Sequence, residues 1–244
     1  MEKIKNEAGQ IRLNKFISNS GYCSRREADK FIMMGLVKVN GKLITQMGYK
    51  INPNDKVICD ERKIISEKSV YILLNKPKGY FSSDTNGKFK KNVLELIKSQ
   101  KSKKIQPIGK MDRTSLGLLL LTNDMSIIKK LNSNSHKINK IIEVELDKNI
   151  SKKHIDLIKS DKSIVKSNNF NIEDINHIKD EPKRKIGIKI RFENYKMLKE
   201  VFKKLGYKII FSDRVVFAHL TKKDLPRGNW RYLNSKEINF LKMI

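Results

Sequence analysis

The chain has 244 residues, 39% apolar and 32% charged, with 53 basic side chains against 26 acidic ones and a formal net charge of +27. That length suffices for one large domain or two smaller ones. A charge so positive attracts polyanions such as RNA, DNA or an anionic membrane surface. No apolar stretch approaches the ~20 residues of a membrane span, and no secretory leader pattern opens the chain.

Residues 1–10 are polar and read as a loose tail. Leu13, Phe16 and Ile17 fall at helical spacing within 11–20, and Gly21 supplies the stop. In SRREADKFIMMG, Ser24 with Glu27 three places on is a capping box, which predicts a helix from about 25 to 34, closed by Gly35. Val37 to Val39, the Asn40–Gly41 pair and Lys42 to Ile44 predict a tight hairpin, and 56–59 a further strand. The charged run ERKIISEKS, 61–69, reads as a linker.

A larger region begins at Val70. Strands are predicted at 70–74, 117–122, 141–146, 186–192 and 208–211, and helices at 92–99, 125–131, 151–159, 195–205 and 235–242. The two do not alternate strictly, which points to an α+β fold rather than a doubly wound sheet. The stretch 160–184 has the weakest pattern and reads as a surface excursion.

Of the 53 basic residues 43 are Lys and only 10 Arg. Two readings of the Lys excess stand: a polyanion-binding surface, or the drift of an AT-rich genome on solvated faces. The arginines are therefore the more informative cations. Arg25 and Arg26 occupy the first turn of a predicted helix, where the dipole disfavours cations by a few tenths of a kcal/mol or more. A phosphate arriving at that helix end reverses the sign of the placement. Arg12, Lys15, Lys30, Lys38 and Lys42 belong to the same small unit. Cys23 and Cys59 are the only cysteines, which fits a reducing cytoplasm with free thiols. The four His are scattered without metal-ligand spacing, so no metal site is expected.

RLNKFISNSGYCSRREADKFIMMGLVKVNGK, 12–42, resembles the alpha-L RNA-binding motif of the ribosomal protein S-four type. The resemblance implies a domain over 9–60 that grips structured RNA by shape and backbone. It puts Arg12, Lys15, Ser24, Arg25, Arg26, Lys30, Lys38, Asn40 and Lys42 at the RNA.

Three later stretches carry a second resemblance: YILLNKPKGY at 71–80, IGKMDRTSLGLLLLTND at 108–124 and LTKKDLPRGNWRYLNSKEINFLKM at 220–243. Together they resemble the bacterial rRNA pseudouridine synthases of the small- and large-subunit type. These join an alpha-L module to an α+β catalytic domain, here 69–244. The family motif G-R-L-D-x-x-T-x-G-L-L-x-x-T-N makes Asp112 the catalytic residue by resemblance. The implied chemistry detaches a uracil from its ribose, turns it and rejoins it through carbon, without cofactor or metal. The carboxylate must stay ionised beside an apolar slot. Desolvation raises its pKa, and the flanking cations Lys110 and Arg113 are expected to lower it.

The chain departs from the family in three places. Lys110 stands where relatives have Arg, keeping charge but losing a planar stacking surface. In KIIEVELD, 140–147, Ile142 takes the place of a Tyr that packs on the target base. In ENYKMLKEV, 193–201, Lys199 stands for the Arg expected to pair with the catalytic Asp, and Glu200 for the next Arg. Tyr195 is a candidate stand-in for the missing phenol. These changes sustain an alternative reading, a catalytically impaired homologue serving ribosome assembly by binding RNA. Trp230 is open to two readings, packing or RNA contact. The expected partners are structured rRNA or pre-ribosomal particles, with no membrane, and the expected state is a cytoplasmic monomer. A methyltransferase is disfavoured for want of a glycine-rich strand-to-helix turn.

Overall fold

The computed structural model describes residues 10–52, 54–65, 69–82, 91–97, 105–133, 138–160, 172–190 and 195–244. The chain divides into two compact units, Met1–Ser69 and Val70–Ile244.

In the first unit, β1 (Ile11–Arg12) pairs with β4 (Lys50–Ile51), and α1 (Leu13–Asn19) is followed by α2 (Arg25–Met33). A second, antiparallel sheet runs β3-β2-β5-β6, from β2 (Val37–Val39), β3 (Lys42–Leu43), β5 (Val57–Cys59) and β6 (Arg62–Ile64). The helices bury Leu13, Phe16, Ile17, Ala28 and Ile32 against Val37 and Val57. Ser24 caps α2 through the reciprocal bonds of the capping box, with its N–H donating to Glu27 Oε2 at 2.7 Å. Asn40 and Gly41 are both left-handed, as the turn between β2 and β3 requires.

Among the described residues, the second unit is built on a nine-stranded sheet. Its strands are β7 (Tyr71–Lys76), β8 (Gln106–Ile108), β9 (Leu116–Thr122), β10 (Lys140–Leu146), β11 (Ile172–His177), β12 (Lys185–Ile190), β13 (Ile209–Phe217), β14 (Leu220–Thr221) and β15 (Trp230–Tyr232). The order is β11-β12-β10-β13-β9-β7-β15, with β14 on β13 and β8 on β9. Among these strands, β13 with β9 is the one parallel pairing. The helices are α3 (Met125–Ser133), α4 (Lys152–Ser160), α5 (Tyr195–Lys204) and α6 (Ser235–Met243). This is an α+β fold with a mainly antiparallel sheet. The run Leu118 to Leu121 is wholly buried because β9 has an apolar layer on each face. Leu118 and Leu120 pack with α3 and α6, while Leu119 and Leu121 pack with Val93, Ile97 and Ile105.

The structure corrects several expectations. The predicted linker 61–69 contains β6, paired with β5 through a turn at Asp60 and Glu61. That turn was illegible because neither left-handed residue is Gly or Asn. The predicted excursion 160–184 contains β11, whose edge position beside β12 tolerates its polar residues. Residues 93–97 form a 3₁₀ turn rather than a regular helix. The strand predicted at 208–211 continues to Phe217. The N-terminal tail to residue 9, positions 98–99 of a predicted helix and positions 191–192 of a predicted strand lie outside the described residues.

Candidate active site

Residues 111–115 link Gly109 and Lys110 to the start of β9, and several backbone groups of this loop are tied to its neighbours. Met111 N–H donates to Ser82 Oγ at 2.7 Å, and Ser82 N–H donates back to Met111 O. Gly79 N–H donates to Arg113 O at 2.8 Å. The fully buried Lys76 donates its ammonium to Asp112 O at 2.8 Å, Ser115 O at 2.6 Å and Pro77 O at 3.3 Å. The loop thus hangs from the end of β7 and the turn that follows it.

Asp112 is exposed as a residue, yet its carboxylate is held by one edge. Oδ1 accepts four hydrogen bonds, from the backbone N–H and the hydroxyl of both Thr114 and Ser115, at 2.7–2.9 Å. Oδ2 accepts none among the described residues. Burial raises the pKa of Asp112, but the bonds from Ser115 and Thr114 outweigh it and hold the carboxyl below its usual value. The side chain is therefore an oriented anion with one oxygen uncommitted. The expected cause differs from the observed one. Lys110 and Arg113 are both exposed, and neither forms an ion pair with Asp112 among the described residues. An Asp two and three places ahead of Thr114 and Ser115 is satisfied locally, which needs no neighbouring cation.

The sheet sets the floor. Ile142 on β10 opposes Arg214 on β13, Arg214 opposes Gly117 on β9, and Gly117 opposes Lys76 on β7. Opposed residues share a face, so Ile142, Arg214, Gly117 and Lys76 form one row beneath the loop. A bulge in β13 creates it: Val216 opposes Ile141 but Arg214 opposes Ile142, and Val215 is the extra residue. Arg214 is 1% exposed, donates Nε–H to Leu118 O at 2.6 Å, reaches Met111 Sδ and lies over the Phe217 ring. Gly117 has φ +100°, and a Cβ there would overlap the β13 backbone at Arg214 and the Asp213 carboxylate.

Ile142 is 4% exposed and belongs to the apolar cluster against which Tyr195 packs. Lys199 is exposed on α5, its ammonium 4.3 Å from the Tyr195 ring centroid, and among the described residues it forms no hydrogen bond or ion pair with Asp112. Trp230 packs partly buried against the cluster under β7 and β9, edge-on to Tyr232. The sequence reading did not single out Lys76, Thr114 or Ser115. The buried Lys in YILLNKPKGY was the available signal, since a Lys inside an apolar strand demands a partner.

In the first unit, Arg12, Lys15, Arg25, Arg26, Lys30, Lys38 and Lys42 are all exposed. Ser24 is committed to its cap. Asn40 is committed as well: its amide donates to Asp55 Oδ1 and its oxygen accepts from Lys56 N–H. Among the described residues no helix is long and apolar enough to cross a membrane.

Both units are similar to known proteins. Residues 11–57 match the S4 domain, and residues 70–209 match the RNA pseudouridylate synthase family. The ribosomal large subunit pseudouridine synthase B of Bacillus subtilis (strain 168) is 31% identical over 237 residues, covering 96% of each chain. The dual-specificity RNA pseudouridine synthase RluF of Escherichia coli (strain K12) is 31% identical over 238 residues, 96% of this chain and 79% of RluF. A crystal structure of a pseudouridylate synthase superposes with a TM-score of 0.62 at 24% identity, covering 95% of this chain and 99% of that one.

Proposed function

The chain belongs to the RNA pseudouridylate synthase family and carries an S4 domain, and on that premise we propose that Asp112 isomerises a uridine of rRNA to pseudouridine. The carrying observation is the carboxylate itself, pinned through Oδ1 with Oδ2 uncommitted. A nucleophile so placed is ionised and pre-aimed, at little reorganisation cost when the substrate arrives.

In this reading Oδ2 attacks the ribose at C1′ as the C1′–N1 bond breaks. The uracil turns, C5 bonds to C1′ as the C1′–O bond to Asp112 breaks, and last the proton on C5 leaves while the freed N1 takes one up. All atoms of the substrate are retained, so no cofactor is required. The target uridine must leave its stack, at a cost of a few kcal/mol. Ile142 offers an apolar surface in the floor row where relatives offer a phenol, so the final proton falls to water or another group. Lys110 and Arg113, beside Asp112, and Lys199 on α5 are proposed to steady the RNA as exposed cations. The S4 domain holds structured rRNA, free or in an assembling particle, through Arg12, Lys15, Arg25, Arg26, Lys30, Lys38 and Lys42, with Ser24 and Asn40 shaping the surface. The protein is proposed to work as a cytoplasmic monomer, with domains over 9–60 and 69–244.

The test uses purified protein and unmodified rRNA transcripts, with pseudouridine mapped chemically. The wild type is expected to form pseudouridine at a defined site. Asp112→Asn is expected to form none while binding the same transcript with unchanged affinity. A fully active Asp112→Asn overturns the reading. Absence of wild-type product on every rRNA leaves only the gripping role.

A further inference from the structure

The opposite side of β7 and β13 carries a charged cluster that the chemistry above does not use. Asp213 is 1% exposed. Its Oδ2 accepts from Arg227 Nη2 at 2.5 Å and Lys222 Nζ at 2.6 Å, and its Oδ1 from Arg227 Nη1 at 3.2 Å. Two cations thus answer one carboxylate. Lys222 alone matches its charge, and a second cation at a half-buried position adds repulsion. Charge balance therefore does not account for Arg227.

Its geometry does. Arg227 Nη1 also donates to Asn75 Oδ1 at 2.6 Å. The rest of Asn75 is fixed too, through Nδ2 to Leu225 O, N–H to Asn229 O, and O accepting from Gly228 N–H. Asn75 immediately precedes Lys76, whose ammonium holds the carbonyls of Asp112 and Ser115. Asp213 opposes Leu116 in the parallel register, and its carboxylate fills the space beside Gly117. One planar fork therefore ties β7 to β13 across β9, the strand into which the Asp112 loop runs, a span that the single ammonium of Lys222 does not make.

We propose that Arg227, seated on Asp213, is a positioning residue for Asp112: it ties Asn75 on β7 to β13 and so fixes the two ends, Lys76 and Gly117, between which the loop is held. The activity arm of the test rests on Asp112 being the reactive group. The structural arm does not.

Arg227→Lys keeps the charge beside Asp213 and loses the fork. Hydrogen exchange is followed at the Thr114 and Ser115 amides, which donate to Asp112 Oδ1. They are expected to exchange about tenfold faster in the variant, as a loop with a lower local opening free energy does. With unmodified rRNA, kcat is expected to fall about tenfold with KM within about twofold, since a misplacement of about 1 Å can cost about a hundredfold. Ile175→Val, a core truncation on the far strand β11, is the stability control and leaves both readouts unchanged. Unchanged exchange at Thr114 and Ser115 in folded Arg227→Lys overturns the proposal, whatever the activity. Faster exchange with an inactive wild type upholds the positioning role while the assignment of Asp112 fails. If Arg227→Lys does not fold, Arg227→Gln, which keeps a donor for Asn75 but releases Asp213, is held to the same criterion.

Discussion

Lys76 is expected to make stability and activity respond to pH in opposite directions. Its ammonium is fully buried and bonded to three carbonyls. Burial pushes it down from 10.5 to about 8; Asp112 pulls it up, and Arg214 and Arg227 press it down again. In the unfolded chain the same group keeps an ordinary lysine pKa. Between pH 8 and 10.5 the unfolded state therefore binds more protons, and stability rises with pH. The full interval is worth about 3 kcal/mol at 1.36 kcal/mol per pH unit. Below pH 8 that penalty is constant. Activity runs the other way: above pH 8 the neutral amine has two donors for three carbonyls, and the loop carrying Asp112 slackens. Urea unfolding is measured from pH 7 to 10 in the wild type and in Lys76→Met, so that the other titrating groups cancel in the difference. Trp230 is the only tryptophan and lies on β15 beside Leu74, so its fluorescence reports the right unit. The wild type is expected to gain about 2–3 kcal/mol on the variant across this range while its kcat bends down near pH 8. A flat difference, or a kcat that keeps rising through pH 9, refutes the reasoning.

Ser115→Ala removes a hydroxyl that donates to Asp112 Oδ1 at 2.7 Å, so the anion is favoured less and the acidic limb of kcat/KM is expected to move to higher pH; pH–rate profiles check it. Ile142→Tyr restores the family residue in a site that is 4% exposed, and is expected to cost about 1–3 kcal/mol in denaturant unfolding by overpacking. Glu61→Gly relieves a left-handed residue at φ 61° in the β5–β6 turn and is expected to gain about 1 kcal/mol in the first unit, read by its own thermal transition.

The sequence was most legible where local chemistry decides structure. The capping box at Ser24 and Glu27, the Asn40–Gly41 turn and the apolar run before Thr122 each announce one conformation. It was least legible where a distant partner decides. Asp60 and Glu61 adopt a turn normally made by Asn and Gly because β6 is held to β5 across it. Ile172–His177 alternates poorly, since it is an edge strand with an exposed end. Arg214 reaches the floor row only through the bulge at Val215, and no spacing in SDRVVFAHL encodes that. Asp112 was singled out through the motif around it, but the source of its low pKa was misread. The eye goes to the charges on either side, whereas the bonds come from the two hydroxyl residues that follow.

That misreading changes what the departures from the family cost. An Asp that depended on arginines for its charge would be weakened by Lys110 and Lys199. This carboxylate draws its stabilisation from two backbone N–H groups and two hydroxyls, all within three residues of itself. Backbone donors do not drift with codon usage, and Thr114 and Ser115 are both present. The Arg-to-Lys exchanges therefore leave the anion intact, and with the roles proposed for Lys110 and Lys199 they fall on the grip of the substrate, where a point charge is a partial substitute for a planar fork. Ile142 is a different kind of change. It lies in the row beneath the loop, keeps the apolar contact and removes a group that exchanges protons. On the proposed mechanism its cost falls on the last step, loss of the proton from C5, and not on the attack proposed for Asp112. A synthase with this floor would accumulate the rejoined but still protonated base, so the isotope effect of deuterium at C5 on kcat is where the loss of the phenol becomes visible.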